Sequence, residues 1–281
     1  ATARFSDGVR QITCFLRDPP GYALLTDAGE LWLLDGRLAG VSPVRFPGPN
    51  VEVAGMRASR MGSFLAWTSA GDLYLIGKGR TVRELLAGRK YSIDYYQREY
   101  KWQQKQVAEL IDDLAAKFLE SHEQGNERSA VAEYGHYFLG SIILSDKDGQ
   151  KFIIDGQQRL TTVTLLLIFL QHQLQDAEQK GQIADLIFSQ KYGKRSFNLD
   201  IPERTACMEA LYKGEESLDP DAPESIANIL ARYAEFEDLF PEELTGAALP
   251  YFVDWLVENV HLVEITAYSD GDAYTIFETM N

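Results

Sequence analysis

Cysteine is scarce in this chain: Cys14 and Cys207 are the two present, 193 positions apart. They form neither a metal-binding spacing nor a secreted disulfide framework, so a reducing cytoplasm is the expected compartment. The four histidines, His122, His136, His172 and His261, fall in different predicted elements and show no H-x-x-x-H or H-E-x-x-H spacing of a zinc site. The most apolar run, Leu165–Leu170, is too short to cross a bilayer. No signal peptide is visible, and a first residue Ala1 without methionine is expected of a processed, tagged or excerpted start. G-x-S-x-G, C-x-x-C and Rossmann glycine patterns are missing, and GKGRT at 77–81 lacks the spacing of a phosphate loop. Basic side chains are also short, 27 against 42 acidic, for a net charge of −15. Residues 1–80 hold nine basic and seven acidic side chains, whereas residues 81–281 hold 18 and 35. An acidic domain of this kind is a poor general nucleic-acid binder. Only 78–105 is locally basic, and a solvated charged face is the plainer account of it.

What is present is a sizeable core: 281 residues at 45% hydrophobic suffice for one large domain or two ordinary ones. The first 80 residues contain a repeat. LLTDAGELWLL at 24–34 is matched by AWTSAGDLYLI at 66–76, an offset of 42. Each copy has an apolar run, a glycine-containing turn and an alternating strand, the pattern of a hairpin. A period near 42 suits a propeller blade, and residues 9–77 resemble RCC1-like propeller repeats. Two blades cannot close a propeller, so this segment is expected to bind or scaffold, with a protein partner the natural candidate.

The remainder is organised around KFIIDGQQRLTTVTLLLIFL at 151–170. Phe152–Ile154 read as a short buried strand, Asp155 and Gly156 as a break, and Gln157 onward as a helix reaching about Leu174. Apolar on nearly every side, that helix is central rather than peripheral. Its free N–H groups beside Arg159 form either an anion site, most usefully for phosphate, or a well-capped buried helix start whose arginine pairs with a local carboxylate. Around it, a helix is predicted over Thr81–Ala87, a strand over Tyr91–Tyr96, a helix through Val107–Phe118 and a loop over Ser121–Ala132. Tyr137–Leu144 and Lys151–Ile154 form an antiparallel pair across SDKDGQ, with Gly140 marking a close backbone approach. Further on come a helical stretch over Asp176–Ser189, a strand Phe197–Ile201 ended by Pro202, helices Thr205–Tyr212, Glu224–Phe236 and Ala248–Asn259, a strand His261–Thr266, and a helix Asp270–Asn281. Asp112 and Asp113 are adjacent on a helix and do not face one point, so they make no metal pair.

Three polar blocks, YQREYKWQ at 96–103, IIDGQQRLTT at 153–162 and FETMN at 277–281, resemble in order and spacing the blocks of the GmrSD-type DNA endonuclease N-terminal domain, a family similar to ParB and sulfiredoxin. The resemblance covers about Arg80 to Asn281. It implies an α+β fold, a ParB/sulfiredoxin-like core with helical additions, preceded by a small all-β hairpin-repeat segment over residues 1–79. It also implies a nucleotide-binding and nucleotide-hydrolysing regulatory domain of a prokaryotic defence protein that restricts modified DNA. The alternative is a non-catalytic DNA-sensing or protein-interaction module. On this resemblance Asp155, Gln157, Gln158 and Arg159 are the catalytic candidates, with Asp155 also holding Mg²⁺. Gln97, Arg98, Gly156, Thr161, Thr162 and Asn281 are the candidates for binding a nucleoside triphosphate, GTP or ATP. The implied partners are DNA, reached through the full-length protein, and a C-terminal nuclease domain or subunit. The family's last block continues past the position of Asn281, so cutting of DNA by this chain alone is not expected.

Overall fold

The computed structural model describes residues 9–15, 21–26, 31–34, 42–43, 53–58, 64–68, 73–76, 78–93, 99–147, 149–191, 193–215 and 222–267, with backbone alone up to residue 78. The chain divides into two compact units, Ala1–Lys78 together with Glu264–Ala267, and Gly79–Val263.

In the first unit, β1 (Val9–Phe15), β2 (Gly21–Thr26), β3 (Leu31–Leu34) and β4 (Ser42–Pro43) form one sheet; β5 (Val53–Ala58), β6 (Phe64–Thr68) and β7 (Leu73–Ile76) form another. The repeat extends to the pairing. Leu25 stands opposite Leu31 and Tyr22 opposite Leu34, as Trp67 stands opposite Leu73 and Phe64 opposite Ile76, each pair displaced by 42. The preceding strands break register at equivalent places, Val9/Gln11 in β1 and Val53/Gly55 in β5. An irregularity that recurs at the same step of both copies is a built feature of the strand.

From residue 78 on the elements are β8 (Lys78–Thr81), α1 (Val82–Leu86), β9 (Tyr91–Ile93), α2 (Gln104–Leu119), β10 (Tyr137–Lys147), β11 (Gln150–Asp155), α3 (Gln157–Gln173), α4 (Ala177–Ile187), β12 (Phe188–Lys191), β13 (Lys194–Phe197), β14 (Leu199–Asp200), α5 (Pro202–Lys213), α6 (Glu224–Leu239), α7 (Leu249–Glu258) and β15 (Val260–Ala267), all in the second unit except Lys78 and the last four residues of β15. Six strands make a mixed sheet in the order β14-β9-β11-β10-β15-β8. β9 runs parallel to both β11 and β14, and β10 is antiparallel to β11. The class is α+β.

Local chemistry accounts for these elements. Thr81 and Glu84 form a reciprocal capping box that starts α1. Gly149, at φ 81, sits in the two-residue connection between Lys147 and Gln150 that the SDKDGQ turn predicts. α3 is buried continuously from Leu160 to Leu170, as its lack of a polar face requires. Phe118 of α2 meets Phe252 of α7 edge-on at 5.4 Å, and the Trp255 indole donates to the Gly135 carbonyl at 2.8 Å.

Four boundaries differ from the sequence reading. Residues 194–200 split into β13 and β14. Pro202 opens α5 at its first turn, where a locked φ and a missing N–H cost nothing. Asp176 caps α4 by accepting from the Gln179 N–H at 2.7 Å, so the helical stretch begins afresh there. Ser121–Ala132, expected as a loop, includes the start of a 3-10 turn at Arg128–Glu133. The helix expected over Asp270–Asn281 and the far end of the strand expected to reach Tyr96 lie outside the described residues.

Candidate functional site

At the end of β11 the chain turns through Gly156 into α3. Gly156 has φ 90 and ψ 4, a left-handed conformation that glycine adopts without strain. A Cβ there would stand 2.6 Å from Ile142 Cγ2 and 3.1 Å from the Ser141 carbonyl, so the helix start lies directly on β10. Glycine offers no capping side chain, and the first turn carries no acid. The first intrahelical bond is Leu160 N–H to the Gly156 carbonyl at 3.1 Å. The N–H groups of Gln157, Gln158 and Arg159 therefore have no hydrogen-bond partner among the described residues, and they sit at the positive end of a 17-residue helix.

Arg159 Nη1 donates to the Ser141 carbonyl at 2.8 Å and lies 4.0 Å from Asp155 Oδ2. Its guanidinium rests over Gly140, where a Cβ would come within 3.3 Å of it at φ 110; this is the close approach expected at that glycine. The Asp155 and Arg159 side chains are each 34% exposed, within reach of solvent.

The two glutamines hold a second segment. Gln158 donates from Nε2 to the Glu99 carbonyl at 2.8 Å and accepts at Oε1 from the Lys101 N–H at 3.0 Å, as a neighbouring strand would. Gln157 Nε2 also donates to the Glu99 carbonyl, at 3.2 Å, while its buried Oε1 has no partner among the described residues. Tyr100, fully buried, shares a 2.8 Å hydrogen bond with the Thr162 hydroxyl, and burial pushes its phenol up to about 12. α6 grips the same segment: the Tyr100 N–H donates to Ser225 Oγ, Asn228 donates to the Tyr100 carbonyl, and Arg232 donates to the Trp102 carbonyl. The exposed Glu99 carboxyl is held below its usual range by a hydrogen bond from Lys101.

These groups enclose a cavity of about 310 Å³ lined by Trp102, Ile154, Asp155, Gly156, Gln157, Gln158 and Arg159. The predicted Asp155–Arg159 cluster is thus brought together at one opening, with Trp102 on its wall. Thr161 and Thr162 are buried and do not line it; Thr161 accepts from Arg204 Nη1 at 3.2 Å, and Thr162 donates to the Gln158 carbonyl at 2.9 Å. Gln97, Arg98 and Asn281 lie outside the described residues. Sequence reasoning missed the Glu99 and Ser141 carbonyls and the α6 side chains, which carry no local signal.

A larger cavity, about 690 Å³, lies away from this cluster. Its two guanidiniums are already engaged, Arg83 by Glu258 and Arg128 by Asp254, and Asp176 and Glu178 also line it, so it does not suit an anion. The basic stretch at 78–105 is likewise neutralised in part, with Lys90 on Asp200 at 3.2 Å and Lys105 near Glu109 at 3.7 Å. Burial pushes the Cys207 thiol up to about 11, which makes it a poor nucleophile. No helix among the described residues is long and apolar enough to cross a membrane.

The geometry can be set beside known proteins. None of the curated proteins matches the chain. The family model described as GmrSD restriction endonuclease, N-terminal domain, matches residues 82–281, which contain the whole Asp155–Arg159 cluster. The chain therefore belongs to the GmrSD restriction endonuclease N-terminal domain family, and the protein to a restriction system.

Proposed function

We propose that the Asp155–Arg159 cluster binds the phosphates of a nucleoside triphosphate, ATP or GTP, and that its hydrolysis regulates a nuclease acting on modified DNA. The observation that carries this reading is the uncapped start of α3: three N–H groups without a partner among the described residues, and Arg159, at the mouth of a 310 Å³ cavity. That volume is at the low end of ligand pockets, about 300–1,000 Å³, room for the phosphates with Trp102 beside them for a base.

The residues divide the work by what each has free. The Gln157, Gln158 and Arg159 amides and the Arg159 guanidinium offset charge on the transferred phosphoryl group. Gln158 spends its side chain on Glu99 and Lys101, so Gln157, whose buried Oε1 has no partner among the described residues, orients a water molecule by turning that oxygen into the cavity. Asp155 is half-exposed and is the single carboxylate lining the cavity among the described residues, which suits Mg²⁺ held through water. Bound there, Mg²⁺ would supply charge neutralisation on the phosphates. DNA is reached through the full protein, cutting belongs to a C-terminal nuclease domain or partner subunit, and residues 1–79 dock a protein.

Phosphate release by the full protein, with and without modified DNA, tests the proposal. Arg159→Ala is expected to lower stimulated turnover at least about tenfold; unchanged turnover removes Arg159 from the role. One observation favours a second reading, a non-catalytic DNA-sensing module: Gln158 and the Arg159 Nη1 are both engaged in internal hydrogen bonds. Calorimetry separates the two, since a sensing module gives no heat with either nucleotide.

A further inference from the structure

His136 and His261, placed in separate elements by the sequence, are joined by the fold. His136 immediately precedes β10, and His261 is the second residue of the neighbouring strand β15. The Tyr137 N–H donates to the Asn259 carbonyl at 3.1 Å and sets the register beside them. Nδ1 of His136 and Nε2 of His261 lie 3.1 Å apart, with ring centroids at 4.8 Å and planes at 77°.

As two neutral imidazoles the rings share one N–H between these nitrogens. A tautomer change in the donor ring, with no net loss of a proton, frees both lone pairs, and a turn of the rings aims them at a third atom. Two imidazoles on one zinc ion, each bonded at about 2.0–2.1 Å, place their nitrogens roughly 3.3 Å apart in a tetrahedron and roughly 2.9 Å apart in an octahedron. The observed 3.1 Å falls between. His136 is exposed and lines the 690 Å³ cavity, which gives solvent access to the pair. No cluster of three or more metal-ligating side chains occurs among the described residues, so the remaining coordination positions fall to water.

We propose that His136 and His261 form a two-imidazole site for a borderline divalent transition ion, typified by Zn²⁺, with water completing its shell. Such a site is open and exchangeable, and it ties the start of β10 to β15. Imidazole nitrogens select this class of ion over Mg²⁺, so the site is chemically distinct from a carboxylate–phosphate one.

The test uses tag-free protein. Equilibrium dialysis against Zn²⁺ and visible titration with Co²⁺ are expected to show one saturable equivalent, weakened at least tenfold by His136→Ala or His261→Ala. His172→Ala, whose ring bonds the Leu211 carbonyl, is expected to leave it unchanged. Absence of a saturable equivalent, or its survival in His261→Ala, overturns the proposal. Should the variants fail to fold, substoichiometric Cu²⁺ on the wild-type chain decides: selective broadening of the His136 and His261 ring resonances supports the site, and uniform or no broadening overturns it.

Discussion

Gly156 carries two constraints at once, a φ of 90 and a neighbouring strand too close for a Cβ. Gly156→Ala must either move Ile142 or distort the turn, and it is expected to destabilise the fold by roughly 2–4 kcal/mol, read as a lower denaturation midpoint. An alanine placed instead at Gly181, with open space around it, serves as the comparison. The DGQQR run was legible as a strand–turn–helix because an acid and a glycine interrupt two apolar periods. What each glutamine holds was not. The partners that decide it are the Glu99 carbonyl and the Lys101 N–H, main-chain groups more than 50 positions earlier that carry no side-chain identity to read.

At the scale of elements, the segment 99–103 is pinned from two helices. Gln158 of α3 holds it as a strand would, and Ser225, Asn228 and Arg232 of α6 hold it from the other side. Gln158→Ala is expected to cost about 1–2 kcal/mol, since it also leaves the Lys101 N–H without a protein partner. Hydrogen exchange at Lys101 is the local readout, and it should accelerate more than exchange within α6. The long helices were legible from their period: α2, α6 and α7 each bury the stripe that spacing marks. The start of α5 was not, because a proline that ends a strand and one that opens a helix look alike until the next turn is placed. The pairing of β9 with β14 was equally hidden, since three- and two-residue strands are too short to show an alternation.

For the whole molecule, burial of aromatic hydroxyls sets a limit on the alkaline side. Tyr100, Tyr137 and Tyr233 are each pushed from 10 up to about 12, chiefly by desolvation. The unfolded chain loses these protons first, so stability is fully present below pH 10 and falls as pH rises from 10 through about 12. For fully buried Tyr100 alone the loss is roughly 2–3 kcal/mol by the end of that window. Urea unfolding between pH 8 and 12 checks it, and Tyr100→Phe should flatten part of the decline.

The strand order β14-β9-β11-β10-β15-β8 also has a consequence during synthesis. One flank of β10 is covered at once by β11, through a two-residue connection. The other is covered by β15, which begins at Val260, after the helices α3 to α7 have been made. At about 5–20 residues per second, that interval is on the order of ten seconds on the ribosome. Through it the nascent chain presents an unpaired strand edge of apolar sequence, the surface most prone to wrong association. Chaperone engagement is therefore expected to concentrate on chains stalled between Lys147 and Val260, and to fall once β15 has emerged.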